Sequence, residues 1–243
     1  SVTSISNDAF TFCTKLSNVT WSKNLRTIGE SAFVDTALTS IEFPDSLRII
    51  GRFAFEYCRS LKSVTFGSGL QSIGYTAFAG CTALQTVDLG DTVTTLEQSA
   101  FNGCTSLTKI TIPKSVTSVG KWAFRNCTNL QYVEFEGSAP TFDANAFAGA
   151  ACNAYYHSSQ SGWTSSKLAN YGGTLTWGAI SQRGSCGSKA EWILDTNGNL
   201  FICGSGYMSA YSETNRAPWY DYRMSIKMVH FYGTMSIGAY AFA

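Results

Sequence analysis

The sequence predicts a β-rich solenoid of short parallel strands joined by brief helical turns, followed by a small β-hairpin module. Three observations carry this. The dipeptide Ala-Phe recurs with its phenylalanine at Phe10, Phe33, Phe55, Phe78, Phe101, Phe124 and Phe147, at intervals of 23, 22, 23, 23, 23 and 23 residues. An apolar column stands five residues earlier, at Ile5, Ile28, Ile50, Ile73, Leu96, Val119 and Phe142. Each interval also carries an alternating segment, such as Leu38-x-x-Ile41-x-Phe43, Leu61-x-x-Val64-x-Phe66 and Leu107-x-x-Ile110-x-Ile112. A fixed period of this length is the signature of a stacked-repeat architecture.

Each element of the unit has its own reason. The alternating, β-branched segment reads as a strand with one buried face. Pro44, Pro113 and the Gly67/Gly69 pair end it, because proline cannot donate to a ladder and glycine punctuates turns. A second short extended piece follows, as in Val116–Val119. Ala-Phe then reads as about one helical turn, with Ala allowing close approach and Phe filling the interior. One such unit cannot bury its apolar face alone, whereas stacked units can. Three residues after Phe stands Cys13, Cys58, Cys81, Cys104 or Cys127, predicting a buried column of small thiols. Thr36 replaces the cysteine in the second unit, and Leu96-Glu97 replaces the usual Ile-Gly pair.

The consensus I-G-x-x-A-F-x-x-C-x-x-L-x-x-V-x-F resembles the surface-antigen type of bacterial leucine-rich repeat, the BspA-like class, over Ser1 to about Gly149 and again from Ile226. The resemblance implies a leucine-rich repeat solenoid, a cell-surface or secreted location, and adhesion to a host or neighbouring-cell surface protein.

The pattern decays after Phe147. Residues 150–180 read as a C-terminal capping unit after the 1–149 array: Cys152–Tyr156 is a closing strand, Ser161–Asn170 has helical spacing, and Leu175–Trp177 is a last short strand. Residues 181–185 read as a linker and 186–225 as a β-hairpin module. In that module Asn197-Gly198 between two apolar runs marks the turn. Residues 226–243 start a second array, with Ile237-Gly238 and Ala241-Phe242 repeating the motif. An array broken off inside a repeat at both ends predicts a slice of a longer protein, with apolar ends open to head-to-tail self-association.

Composition excludes several functions. Charged residues are 14% of the chain, well below the roughly 25% of an average protein, and the net charge is +1. Serine and threonine number 56, so hydroxyls do much of the surface work of charges. No basic block marks a nucleic-acid partner. No apolar run approaches the ~20 residues of a membrane span. The two histidines have no partner at zinc spacing, so no metal and no cofactor are expected. No nucleophile-elbow, zinc-protease or phosphate-loop string occurs, which predicts a non-catalytic protein. Asp195–Asn199 lacks the remaining ligands of a calcium loop and reads as a plain hairpin turn. Cys186 and Cys203 stand outside the array, and both a disulfide across the hairpin base and two free thiols fit the sequence.

Two surfaces are candidates for binding. The outward positions of the repeat strands form two columns, Asn18, Ser40, Ser63, Thr86, Lys109 and Tyr132 beside Thr20, Glu42, Thr65, Asp88, Thr111 and Glu134. They are either a face for a protein or glycan, or a solvated sheet face held by hydroxyl cross-strand pairs. The aromatics Tyr156, Trp163, Trp177 and Trp219 are either a carbohydrate platform or cap core. The expected function is that of an extracellular protein-binding, adhesion or spacer module, with carbohydrate binding through these aromatics as the alternative.

Overall fold

The computed structural model describes residues 2–212, 214–237 and 241–242. Gly238 of the second-array motif lies outside them. The chain forms two compact units, Ser1–Tyr156 with Gln160–Trp177, and His157–Ser159 with Gly178–Ala243.

In chain order the array contributes β1 (Ser4–Ile5), β2 (Thr27–Ile28), β3 (Ser40–Glu42), β4 (Ile49–Ile50), β5 (Ser63–Thr65) and β6 (Ser72–Ile73). It continues with β7 (Thr86–Asp88), β8 (Thr95–Leu96), β9 (Lys109–Ile112), β10 (Ser118–Val119), β11 (Tyr132–Phe135) and β12 (Thr141–Phe142). Each coil from Thr27 onward supplies one strand to each of two parallel ladders, and the first coil supplies only β1. The first kind stacks β1-β2-β4 and β6-β8-β10-β12, with Ile5, Ile28 and Ile50 in register and then Ile73, Leu96, Val119 and Phe142. The second stacks β3-β5-β7 and β9-β11, aligning Ile41, Val64 and Val87 and then Ile110 with Val133. Hydrophobic alternation sets this register, because a one-residue slip would turn every buried side chain outward.

The interior is a file of phenylalanines. Successive rings from Phe10 to Phe147 stack at centroid distances of 5.1, 5.2, 5.2, 5.7, 5.8 and 5.2 Å, nearly parallel. From Phe33 onward these rings are fully buried. The short turn at Ala-Phe closes with i→i+3 bonds such as Val34 N–H to Ser31 O (3.3 Å). It does not continue as helix, because the residues two before and two after Phe are left-handed. These include Phe53 and Tyr57 (φ 58° and 59°) and Trp122 and Asn126 (φ 61° and 56°). Bulky residues bear that conformation only where the surroundings over-determine it. Here the next coil does so: Ser31, Phe33 and Asp35 N–H donate to Arg52, Ala54 and Glu56 carbonyls at 2.9, 2.8 and 2.9 Å.

Gly80 and Gly103 take the same left-handed position freely, at φ 70° and 74°. A Cβ on Gly80 would meet the Tyr57 ring at 2.4 Å, whereas one on Gly103 would find nothing closer than 3.7 Å. Gly103→Ala is therefore expected to cost about 1 kcal/mol from backbone strain alone, and Gly80→Ala roughly 2–3 kcal/mol through added overpacking. Chemical denaturation of the two variants tests the difference, and equal costs would remove the role of Tyr57.

The array ends in β13 (Ala151–His157), which adds parallel to β11. The helical spacing over Ser161–Asn170 yields only a single 3-10 turn at Ser165–Lys167. Thr164 gives that turn no side-chain cap, and Gly162 just before it is left-handed at φ 82°.

β14 (Thr174–Gly187) carries the chain into the second unit. Residues 181–185, expected as a linker, are strand instead. Gln182, Arg183, Gly184 and Ser185 pair antiparallel with Leu194, Ile193, Trp192 and Glu191 of β15 (Ala190–Asp195), and the Arg183 guanidinium meets Glu191 at 2.8 Å. β15 and β16 (Asn199–Tyr207) form the expected antiparallel hairpin, and β17 (Met228–Ser236) pairs parallel to β16. The Asp195 carboxylate organises the turn. Its Oδ1 accepts Asn197 N–H (2.9 Å) and Asn199 N–H (2.8 Å), and its Oδ2 accepts from Asn199 Nδ2 (2.8 Å). Cys186 and Cys203 are both buried, and neither is in a disulfide. They lie on β14 and β16 with β15 between them, so two strand spacings, about 10 Å, separate them, beyond disulfide reach.

Candidate functional site

The outward columns are built by strand alternation: with Ile41, Val64 and Ile110 turned inward, their neighbours must face out. Ser40, Ser63 and Thr86 sit side by side in register, as do Glu42, Thr65 and Asp88. Of these, Ser63 is half-buried and the other five are exposed. Lys109 and Thr111 continue the columns half-buried, while Asn18 and Thr20 are exposed on extended backbone outside any strand.

Tyr132 and Glu134 depart from the expectation, since both are buried rather than outward-facing. Their neighbour is β13, whose Tyr155 stacks on Tyr132 at 5.1 Å. The Tyr132 hydroxyl donates to Glu134 Oε2 at 3.0 Å, and the Lys109 ammonium lies 5.0 Å over the Tyr132 ring. Cap side chains thus cover the last coil of the columns, leaving the positions from Asn18 to Thr111 accessible.

Repeat reasoning missed a feature of this face. The ladder is interrupted between β7 and β9, where Gly90 (φ 61°) stands in the strand-ending segment. Val87 is only half-buried, unlike Val64 and Ile110. A groove of about 500 Å³ opens there, lined by Asp88, Asp91, Thr111, Pro113 and Glu136 together with Val87–Gly90. Gly90 stands where Pro44 and Pro113 end their strands, but Gly67 does so too without a break, so the sequence carried no signal for the groove. The arrangement offers carboxylate and hydroxyl acceptors on a flat sheet, suited to partners presenting hydrogen-bond donors. Among the described residues, no group of three His, Cys, Asp or Glu side chains is placed to hold a metal ion.

Tyr156, Trp163 and Trp177 pack against one another and the array core while staying half-exposed. Tyr156 stacks on Trp163 at 4.9 Å, and Trp163 and Trp177 lie 5.2 and 5.7 Å from Phe135. Trp163 Nε1 donates to Gly137 O (3.1 Å) and Trp177 Nε1 to Ala169 O (3.0 Å). These three rings close the end of the phenylalanine core. Trp219 belongs to the second unit and is 3% exposed among Tyr211, Trp192 and Phe242, so it offers no ring face.

The repeat cysteines form a hydrogen-bonded column. Cys58, Cys81, Cys104 and Cys127 each donate Sγ–H to the phenylalanine carbonyl of the preceding coil, at 3.1, 3.2, 3.3 and 3.2 Å. Thr36, at the same repeat position, donates its hydroxyl instead to Phe33 O of its own coil (3.1 Å), the carbonyl that Cys58 also meets. Cys13, expected in the buried column, is exposed, since no described coil lies against that side of it. Burial pushes Cys81 and Cys104 well above the usual thiol range, and Cys127 and Cys152 up to about 12. Native labelling is expected to modify Cys13 rapidly and the other four repeat cysteines only on unfolding. The sign of the pH dependence follows. With the folded pKa raised above the unfolded value near 9, the unfolded chain loses these protons first, so stability is fully present below pH 9 and falls between 9 and about 12. Cys127→Ser keeps the donor and should shrink that alkaline loss in urea titrations; an unchanged slope would contradict it.

No helix among the described residues is long and apolar enough to cross a membrane. None of the curated proteins compared matches the chain. Among solved structures, a leucine-rich repeat protein from Eubacterium ventriosum is similar at 24% identity and a TM-score of 0.56, covering 71% of this chain and 47% of that one. The chain thus spans about half the length of that protein. A leucine-rich repeat protein from Bacteroides ovatus is similar at 19% identity and a TM-score of 0.53, covering 98% of this chain and 67% of that one. Both likenesses concern the fold. Six copies of the BspA type leucine rich repeat region match, over residues 1–105 and 26–153. With its 23-residue period, its phenylalanine file and that match, the chain belongs to the BspA type leucine-rich repeat family.

Proposed function

We propose that this chain is a non-catalytic binding module of a bacterial surface protein, and that it captures a protein partner on the outward face of its repeat strands. The observation that supports this reading is the pair of exposed, in-register columns from Ser40 to Asp88, bordered by the acidic groove at β7 and β9. Short hydroxyl side chains keep the face flat, and Glu42 and Asp88 set its sign, so the fitting partner presents basic or hydrogen-bond-donor groups. Membership of the repeat family supports the surface location and the protein-binding role.

The test is binding of a panel of host extracellular proteins to the chain and to the double variant Glu42→Lys with Asp88→Lys. Both positions are exposed, so the fold should survive. Rim charges of this kind change affinity about tenfold, mainly through the association rate. A panel partner whose affinity falls by that amount supports the face, and unchanged affinity for every binder counts against it. A glycan array run in parallel tests the carbohydrate alternative; retention lost on Trp177→Phe would favour it.

A further inference from the structure

The dipeptide Asn-Gly occurs twice, at Asn102-Gly103 and at Asn197-Gly198. It favours ring closure, because a glycine has no Cβ to hinder its nitrogen from reaching the preceding carboxamide. Both glycines are left-handed, at φ 74° and 89°. Neither asparagine carboxamide has a hydrogen-bond partner among the described residues. The two sites therefore differ in what holds the glycine backbone.

Asn102-Gly103 lies inside the array. Gly103 N–H donates to Arg125 O of the next coil at 2.7 Å, and Asn102 O accepts Gly80 N–H of the coil before at 2.7 Å. Freeing the Gly103 nitrogen means parting stacked coils, which approaches global unfolding. Asn197-Gly198 lies in the hairpin turn, with the Asn197 side chain exposed. Gly198 N–H donates only within that turn, to Asp195 O at 3.2 Å. Opening this single bond leaves the β15–β16 ladder intact, so a local fluctuation suffices. The Gly198 carbonyl is tied elsewhere: it accepts Lys227 N–H at 2.7 Å and Met228 N–H at 3.3 Å. A Cβ on Gly198 would stand 2.3 Å from Ser225 O, so the backbone there has no room to spare.

We propose that Asn197 is a site of spontaneous deamidation and isomerisation that loosens the start of β17, while the coils around Asn102 protect it from the same reaction. Hydroxide takes the Gly198 amide proton, and the nitrogen bonds to Asn197 Cγ. The side-chain nitrogen leaves as ammonia, with a proton from water that regenerates the hydroxide. Water then opens the cyclic imide. Opening at Cγ gives aspartate, and opening at the backbone carbonyl gives isoaspartate, whose main chain runs through Cβ and Cγ. No oxidant or reductant is needed. Isoaspartate lengthens the main chain just before Gly198, where Ser225 O already fills the space. The Gly198 carbonyl is then displaced from Lys227 and Met228 N–H, where β17 begins to pair with β16 at Asn199 and Met228.

The test ages the full chain in mildly alkaline buffer made with heavy-oxygen water, once native and once in urea. Peptide mapping then measures label and isoaspartate at the two sites. The expected result is native labelling at least about tenfold faster at Asn197 than at Asn102, and similar rates at both in urea. Amide exchange at Lys227 and Met228 should be faster in the aged chain than in the fresh one, with the Gly103 amide unchanged. Asn197→Ser, aged in the same way, should keep the exchange of its fresh form. An unlabelled Asn197, native labelling as fast at Asn102, or a rate gap that persists in urea would overturn the assignment. Isoaspartate at position 197 with unaltered exchange at Lys227 and Met228, or equal loss of protection in aged Asn197→Ser, would overturn its effect on β17.

Discussion

Phe78→Ala is expected to lower the unfolding free energy by about 3–5 kcal/mol, the cost of removing a fully buried ring and leaving a cavity. Phe78 stacks on Phe55 and Phe101 and is also met edge-on by Phe66 at 5.6 Å. Both coil interfaces lose a partner at once, and in a stacked-repeat protein those nearest-neighbour terms supply most of the stability. Phe10→Ala should cost less than half as much, since that ring has one neighbour in the file and is already partly in water. Equilibrium urea denaturation measures both, and equal costs would mean that the file does not carry the array.

Trp163→Ala is expected to cost about 3 kcal/mol and to open the end of the core. Trp163 touches Phe135, Phe142, Tyr156 and Trp177 and holds Gly137 O. Its loss uncovers Phe135 and Phe142, which a solvatochromic dye should report as new apolar surface at constant far-ultraviolet signal. A variant of unchanged stability with no dye binding would return Trp163 to the role of a presented platform.

The array was readable from one chain because a repeat states each position several times. The strand column at Ile41, Val64 and Ile110, the Ala-Phe turn and the cysteine position all follow from period and alternation. What escaped depends on contacts that occur once. Tyr132 and Glu134 share the pattern of Ser40 and Glu42, and only the unrepeated β13 with Tyr155 covers them. Cys13 shares the pattern of Cys58, and only its place in the first described coil exposes it. Residues 181–185 look polar enough for a linker, yet β15 pairs with them and satisfies their backbone. The left-handed Phe53 and Tyr57 contradict local propensity, and the hydrogen bonds that hold them come from the following coil. The groove beside Gly90 had no legible signal, because Gly67 stands at the same repeat position where the ladder continues, and the break between β7 and β9 is seen only in the structure.

Amide hydrogen exchange, compared between the free chain and its complex with a panel partner, tests most directly whether the outward strand face does the capturing. The account predicts added protection in β3, β5, β7 and β9 and in the Leu89–Asp91 segment that lines the groove, with little change elsewhere. Protection confined to residues 150–177 or to the second unit, with those strands unchanged, would contradict it.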